Sequence, residues 1–184
     1  MARTHLAITV ELVHGVHTGD LWPRPGRVLI AARTATFEQL GKAIDDAFAR
    51  WDHNHLHEFT LVDGTVIIPA RWWDGEEPQR SVDGAKARLG RLRSAEQFSY
   101  TFDLGDDRQQ LCTVAPQRAD PLETLGIIPD KPLPCWAGAT SPTSTCFSSR
   151  ETGSHAMPAG PKATPMSSGP EGSLGHEGGS PMRT

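Results

Sequence analysis

Three histidines, His53, His55 and His57, alternate with other residues in Trp51-Asp52-His53-Asn54-His55-Leu56-His57-Glu58-Phe59. On a strand edge and its lead-in, that spacing puts all three imidazoles on one face. Neutral imidazoles placed so can share a transition metal such as Zn²⁺. Asp103 and Asp106, beside a glycine turn, can add carboxylate oxygens. One reading is a divalent-metal site of His53, His55, His57, Asp103 and Asp106, serving a metal-dependent, hydrolase-like enzyme. The competing account makes His55 and His57 pleat residues hydrogen-bonded to neighbouring backbone, with Glu58 solvated. No spacing fixes a cysteine or carboxylate as a further ligand.

Asp103-Leu104-Gly105-Asp106 is similar to the magnesium-binding triplet of kinases, but neither a glycine-rich phosphate loop nor an H-R-D segment accompanies it. The structural alternative gives Gly105 a positive φ in a turn whose amides are capped by Asp103 or Asp106. Trp72 and Trp73 follow Arg71 in a loop, and an exposed ring there suits a stacking or partner surface. Trp51, directly after a helix, is expected in the core. Lys86, Arg88, Arg91 and Arg93 form a basic cluster that could meet phosphates, but Asp83, Glu96 and the run Asp74, Glu76, Glu77 lie close in sequence. A solvated helix face is the favoured account. Cys112 sits in an apolar strand as a core residue, and no cysteine is paired with a positioned base.

The elements that must hold these residues are legible from periodicity. His5 to Val13 alternates, with Leu6, Ile8, Val10 and Leu12 on one face, as in a half-buried strand. Arg27 to Ala31 is a short aliphatic strand. Thr36 with Gln39 forms a capping box ahead of an amphipathic helix. Its Phe37, Leu40, Ile44, Ala47 and Phe48 share one face, and Lys42, Asp45, Asp46 and Arg50 fall largely on the other. Leu56 to Val62 and Thr65 to Pro69 read as a hairpin joined by Asp63-Gly64, and Ala85 to Leu92 as a short second helix. Phe98 to Leu104 and Gln109 to Ala115 are two further strands. The implied class is α+β: a mainly antiparallel sheet with one principal amphipathic helix and a short second one.

The chain has 184 residues, 37% of them hydrophobic, and a formal net charge of -4. The shortfall in apolar residues is concentrated after Trp136, where Gly, Pro, Ser and Thr dominate without periodicity. The expectation is a folded domain at 1–136 and a disordered tail at 137–184, which cannot offset its ordering entropy. The tail's acids and bases cancel, so the acidity belongs to the domain, which gains nothing from counterion release on a phosphate backbone. Cys112, Cys135 and Cys146 form no CxxC pair and no disulfide framework. No leader pattern and no segment of membrane-spanning length is present, so the expected location is a reducing cytoplasm.

Leu21-Trp22-Pro23-Arg24, the helix at 36–50, the segment Trp51 to Phe59 and Phe98-Ser99-Tyr100-Thr101-Phe102-Asp103-Leu104-Gly105-Asp106-Asp107 resemble, in order, the blocks of the plasmid pRiA4b ORF-3-like family. The resemblance covers roughly residues 5–136. It implies a curled, mainly antiparallel sheet with helices against it. It also implies company with plasmids and insertion sequences, where members sometimes carry the transposon-resolvase label TnpR. The activated serine with surrounding arginines that a serine recombinase needs does not stand out. Arg108 stands where the family pattern has tryptophan, and Gln110 where related sequences often have histidine. After Trp136 the chain departs from its relatives. One permitted back-translation of Ala137 to Thr145 reads Gly-Trp-Gly-Asp-Val-Pro-Asp-Gln-Tyr one base earlier, as the relatives do. The end of the chain therefore reads as frameshifted, and the gene's nucleotides decide it. The leading functional expectation is an accessory domain acting by binding a protein or nucleic-acid partner, with Arg71, Trp72 and Trp73 as its surface. The alternative is the metal-dependent enzyme.

Overall fold

The computed structural model describes residues 5–50, 52, 54–73, 75 and 78–138. His53 and Trp51 lie outside the described residues, as does the expected tail beyond Gly138. The strands are β1 (His5–Gly15), β2 (Gly19–Asp20), β3 (Gly26–Ala32), β4 (His57–Thr60), β5 (Val66–Ile68), β6 (Ser81–Asp83), β7 (Gln97–Phe102), β8 (Arg108–Val114) and β9 (Leu133–Gly138). The helices are α1 (Phe37–Ala47) and α2 (Pro121–Leu125). All nine strands belong to one open sheet of order β6-β5-β4-β7-β8-β1-β3-β9, with β2 on β1. Neighbours are antiparallel except for β5 and β6. The chain is thus α+β, a mixed and mainly antiparallel sheet with one main helix and a short second one.

α1 starts where its capping box predicts. The Gln39 amide donates to Thr36 Oγ1 at 3.2 Å, and the Thr36 amide donates to Gln39 Oε1 at 2.9 Å. These contacts satisfy two backbone donors that a helix start leaves open. Phe37, Leu40 and Ile44 are fully buried against the sheet, each contributing about 1.5–3 kcal/mol by leaving water. They meet Leu6, Ile8 and Val10 of β1 and the aromatic residues of β4 and β7 in one core. Phe37 packs edge-on to Phe59 with centroids 5.2 Å apart, and Phe59 lies 4.6 Å from Tyr100.

Several local expectations shift. β1 is not buried on one face alone: Ala7 joins Val28, Ile30 and Ala119 in a second cluster, with Ala115, Leu125, Cys135 and Trp136 packed against it. The sheet is therefore covered on both sides where β1 meets β3. The second helix is α2 at Pro121–Leu125, capped by Asp120, whose Oδ1 accepts from the Leu122 amide. Residues 85–92 instead hold a 3-10 turn, Leu89–Arg91. Leu89 is drawn fully into the core there, and Gly90 breaks the run. The β4–β5 hairpin turns on three residues rather than two. Gly64 N donates to Leu61 O, Leu61 N donates to Thr65 O, and Gly64 has φ +77, a type I turn closed by a left-handed glycine. β9 runs past Trp136, the expected stop, to Gly138. Among the described residues no helix is long and apolar enough to cross a membrane.

Candidate functional site

The C-terminus of α1 makes the first correction to the site. Asp45 and Arg50 do not lie on a solvated face. Asp45 is 2% exposed and the Arg50 side chain 7%. The reason is the turn that ends the helix. Ala49 N donates to Asp46 O at 3.1 Å, and Arg50 N donates to Asp45 O at 3.0 Å, the paired bonds of a Schellman motif. Ala49 adopts φ 56, where glycine normally stands, and the turn folds Arg50 back over Asp45. Their side chains meet at 2.5 Å, and the Arg50 guanidinium stacks 4.1 Å over the Phe102 ring. Arg27 of β3 closes the helix end by donating to the Ala47 carbonyl at 2.8 Å.

The sheet completes this network. The Tyr100 hydroxyl donates to Asp45, 3.0 Å from each carboxylate oxygen. Gln110, fully buried on β8, turns its amide oxygen to the Arg50 guanidinium. Burial raises the Asp45 pKa against the opposing pull of Arg50 and the Tyr100 hydrogen bond. Burial, then the Asp45 charge, pushes the Tyr100 phenol well above its ordinary range. Tyr100 is therefore a protonated donor, and Arg50 the cation that Asp45 needs.

On one side of this network lies a cavity of about 290 Å³, lined among the described residues by Glu38, Gln39, Lys42, Asp45, His57 and Arg71. Glu38, Lys42 and Asp45 come from one stripe of α1, three and four residues apart. His57 opens β4, and Arg71 belongs to the 3-10 turn Ala70–Trp72. His57 is 6% exposed, its ring 5.8 Å from that of Tyr100. Its Nδ1 is enclosed without a hydrogen-bond partner. Burial lowers its pKa, against the attraction of Asp45 and a contact with the His55 backbone, so the imidazole is neutral at pH 7. At the mouth, Arg71 donates to Glu38 at 2.7 Å and its guanidinium lies 5.6 Å from the Trp72 ring.

On the other side, a cavity of about 340 Å³ is lined by Phe48, Ala49, Arg50, Asp52, His55, Phe102, Asp103, Asp106 and Arg108. His55 is held between two acids, with Nε2 3.1 Å from Asp52 and Nδ1 3.3 Å from Asp103. Arg108 donates to Asp106 at 2.9 Å, and that contact, with His17 adding to it, holds the Asp106 carboxyl below its ordinary range. The turn itself differs from expectation. Gly105 does not take a positive φ; Asp103 (φ 55) and Asp107 (φ 44) do. Asp103 accepts from the Gly105 and Asp106 amides at 3.1 and 3.4 Å, a local bond that lets aspartate occupy the left-handed region.

The expected metal residues are thus divided. His55, Asp103 and Asp106 border one cavity and His57 another, with the Asp45–Arg50 pair between. Among the described residues no three His, Cys, Asp or Glu side chains are placed to hold one ion. Of the expected partner surface, Arg71 and Trp72 are exposed at the mouth of the His57 cavity, while Trp73 is half-buried with Nε1 unpartnered. The basic cluster is not a helix face: Arg88 donates to the Thr34 carbonyl at 2.7 Å, and Lys86 lies 3.8 Å from Asp83. Asp45, Arg50 and Tyr100 were not singled out by sequence. The one signal was Gln110, noted as a departure at a position that proves to face Arg50.

The family model described as plasmid pRiA4b ORF-3-like protein matches residues 18–142. Among solved structures, the chain is similar to a crystal structure of a protein of unknown function, MM3350 from Methanosarcina mazei Go1. The match has 22% identity and a TM-score of 0.53, and covers 73% of this chain and 68% of that one. That likeness concerns the fold. No curated protein matches the chain.

Proposed function

The chain belongs to the plasmid pRiA4b ORF-3-like family, and we propose that it is an accessory binding domain holding a small polar ligand in the cavity between α1 and β4. One observation carries the reading: His57, almost wholly enclosed, walls that cavity together with the exposed side chains of Lys42 and Arg71. Arg71 and Trp72 at the mouth add a cation and an aromatic edge to the recognition surface. The plasmid in the family's description supports an accessory role carried with a mobile element. A screen of small polar fragments against protein labelled at the histidine rings tests the reading. Fragments that occupy the cavity shift the His57 resonance, and their affinity, read by calorimetry, falls in His57→Phe. A library that shifts other histidines and never His57 overturns it.

A further inference from the structure

The charges around the His57 cavity specify what it takes. Among the described lining residues, Glu38, Lys42, Asp45 and Arg71 are charged. Asp45 is cancelled by Arg50 at 2.5 Å, and its oxygens also accept the Tyr100 hydroxyl. That leaves Glu38 facing two cations, Lys42 and Arg71. Both cations are held loosely. The Arg71–Glu38 pair is 2.7 Å long, with its side chains 50% and 41% exposed. The Lys42–Asp46 pair is longer, 3.6 Å, and as exposed. Exposed pairs of this kind contribute little, so an incoming anion can replace Glu38 on Arg71 at little cost. An arginine fork then binds a carboxylate through two parallel bonds, while lysine supplies rotatable donors. Deeper in, the wall offers the His57 imidazole, a neutral group able to accept or donate one hydrogen bond. The volume of about 290 Å³ stands at the lower edge of the range of about 300–1,000 Å³ for small-molecule pockets, which suits a compact molecule.

We infer that the cavity selects a small monoanion bearing a hydroxyl or carbonyl group, its carboxylate held at the mouth by Lys42 and Arg71 and its neutral oxygen directed to His57. This rests on the cavity being the ligand site proposed above. Glu38 becomes the gate: it occupies Arg71 in the free protein and leaves it when the anion arrives. Gln39 is already committed to the helix cap through its Oε1.

The test uses the full chain and four probes of graded chemistry, titrated while the histidine ring resonances are recorded: lactate, acetate, glycerol and tetramethylammonium. Lactate is expected to shift His57 saturably, and acetate more weakly for want of a hydroxyl. Arg71→Gln and Lys42→Gln each weaken lactate by about tenfold, the scale of a lost charge-assisted hydrogen bond. Glu38→Gln tightens it by removing the competitor. Arg93→Gln, in a separate groove with Arg91 and Glu96, leaves it unchanged. Saturable shifts of His57 by tetramethylammonium or glycerol, with none by lactate or acetate, overturn the charge assignment while leaving the cavity a ligand site. No shift of His57 by any of the four overturns the monoanion inference, and the broader fragment screen then decides the binding reading separately.

Discussion

Replacing Arg50 by methionine isolates the buried ion pair at the end of α1. Arg50 lies 2.5 Å from the carboxylate of a residue that is 2% exposed, and it also donates to the Gln110 amide oxygen. Its loss leaves Asp45 with the Tyr100 hydroxyl as its side-chain donor among the described residues. Breaking one partner of a buried pair costs about 3–5 kcal/mol, a large share of the roughly 5–15 kcal/mol that holds a domain together. The sign with pH follows from Asp45. Its folded pKa already stands above 3.8 because burial outweighs Arg50, and removing Arg50 raises it further. A raised carboxyl pKa contributes stability that is fully present below the unfolded value of 3.8 and lost as pH rises through the folded value. The variant is therefore weakest relative to wild type near pH 7 and recovers as Asp45 protonates. Urea unfolding followed by tryptophan fluorescence at pH 7 and again near pH 5 reads both quantities. A companion, Asp45→Leu with Arg50→Met, removes both charges and should regain part of the loss, the Tyr100 hydroxyl and Gln110 amide being left without these partners. A single-variant penalty under about 1 kcal/mol at pH 7, or a penalty unchanged on acidification, refutes the account of a buried pair.

The Ala49→Gly change should stabilise the chain by about 1 kcal/mol, because Ala49 occupies the left-handed cap position at φ 56 that glycine fills without strain; thermal unfolding checks it. Gly41→Ala should likewise stabilise by about 0.5–1 kcal/mol, since a Cβ there would sit 3.5 Å from His57 Nε2 and 3.6 Å from Phe59, ordinary contact distances. For His57, the lowered folded pKa means stability present above 6.5 and lost as pH falls through the folded value. His57→Phe should flatten the unfolding profile below pH 6.5, as measured by a pH series of urea melts. Burial drives the Cys112 thiol far above its ordinary pKa, so alkylation of the folded protein mapped by mass spectrometry should leave Cys112 unmodified.

Much of the scaffold is written in local pattern. The Thr36–Gln39 box starts α1, and the alternation in 98–104 and 109–115 places β7 and β8. The site is written less plainly. A helical wheel assigns Asp45 to the polar side, and the turn that buries it lacks the glycine that would announce a Schellman end. Its cap is Ala49, and its closing contact is an ion pair rather than an apolar one. The alternation of His55 and His57 does place both rings against β7, near Phe102 and Tyr100. However, His55 precedes β4, which His57 opens, and the Asp45–Arg50 pair separates the cavities they border. Glycine is the residue expected to supply the left-handed point of the turn at Gly105. The strain went instead to Asp103, whose own carboxylate holds the turn.

A crystallographic fragment screen tests most directly whether the His57 cavity is where this domain binds. The account predicts that bound fragments cluster between α1 and β4, in contact with His57 and with Arg71 or Lys42. Fragments that gather in the cavity of His55, Asp103 and Asp106, leaving the His57 cavity to water alone, would contradict it.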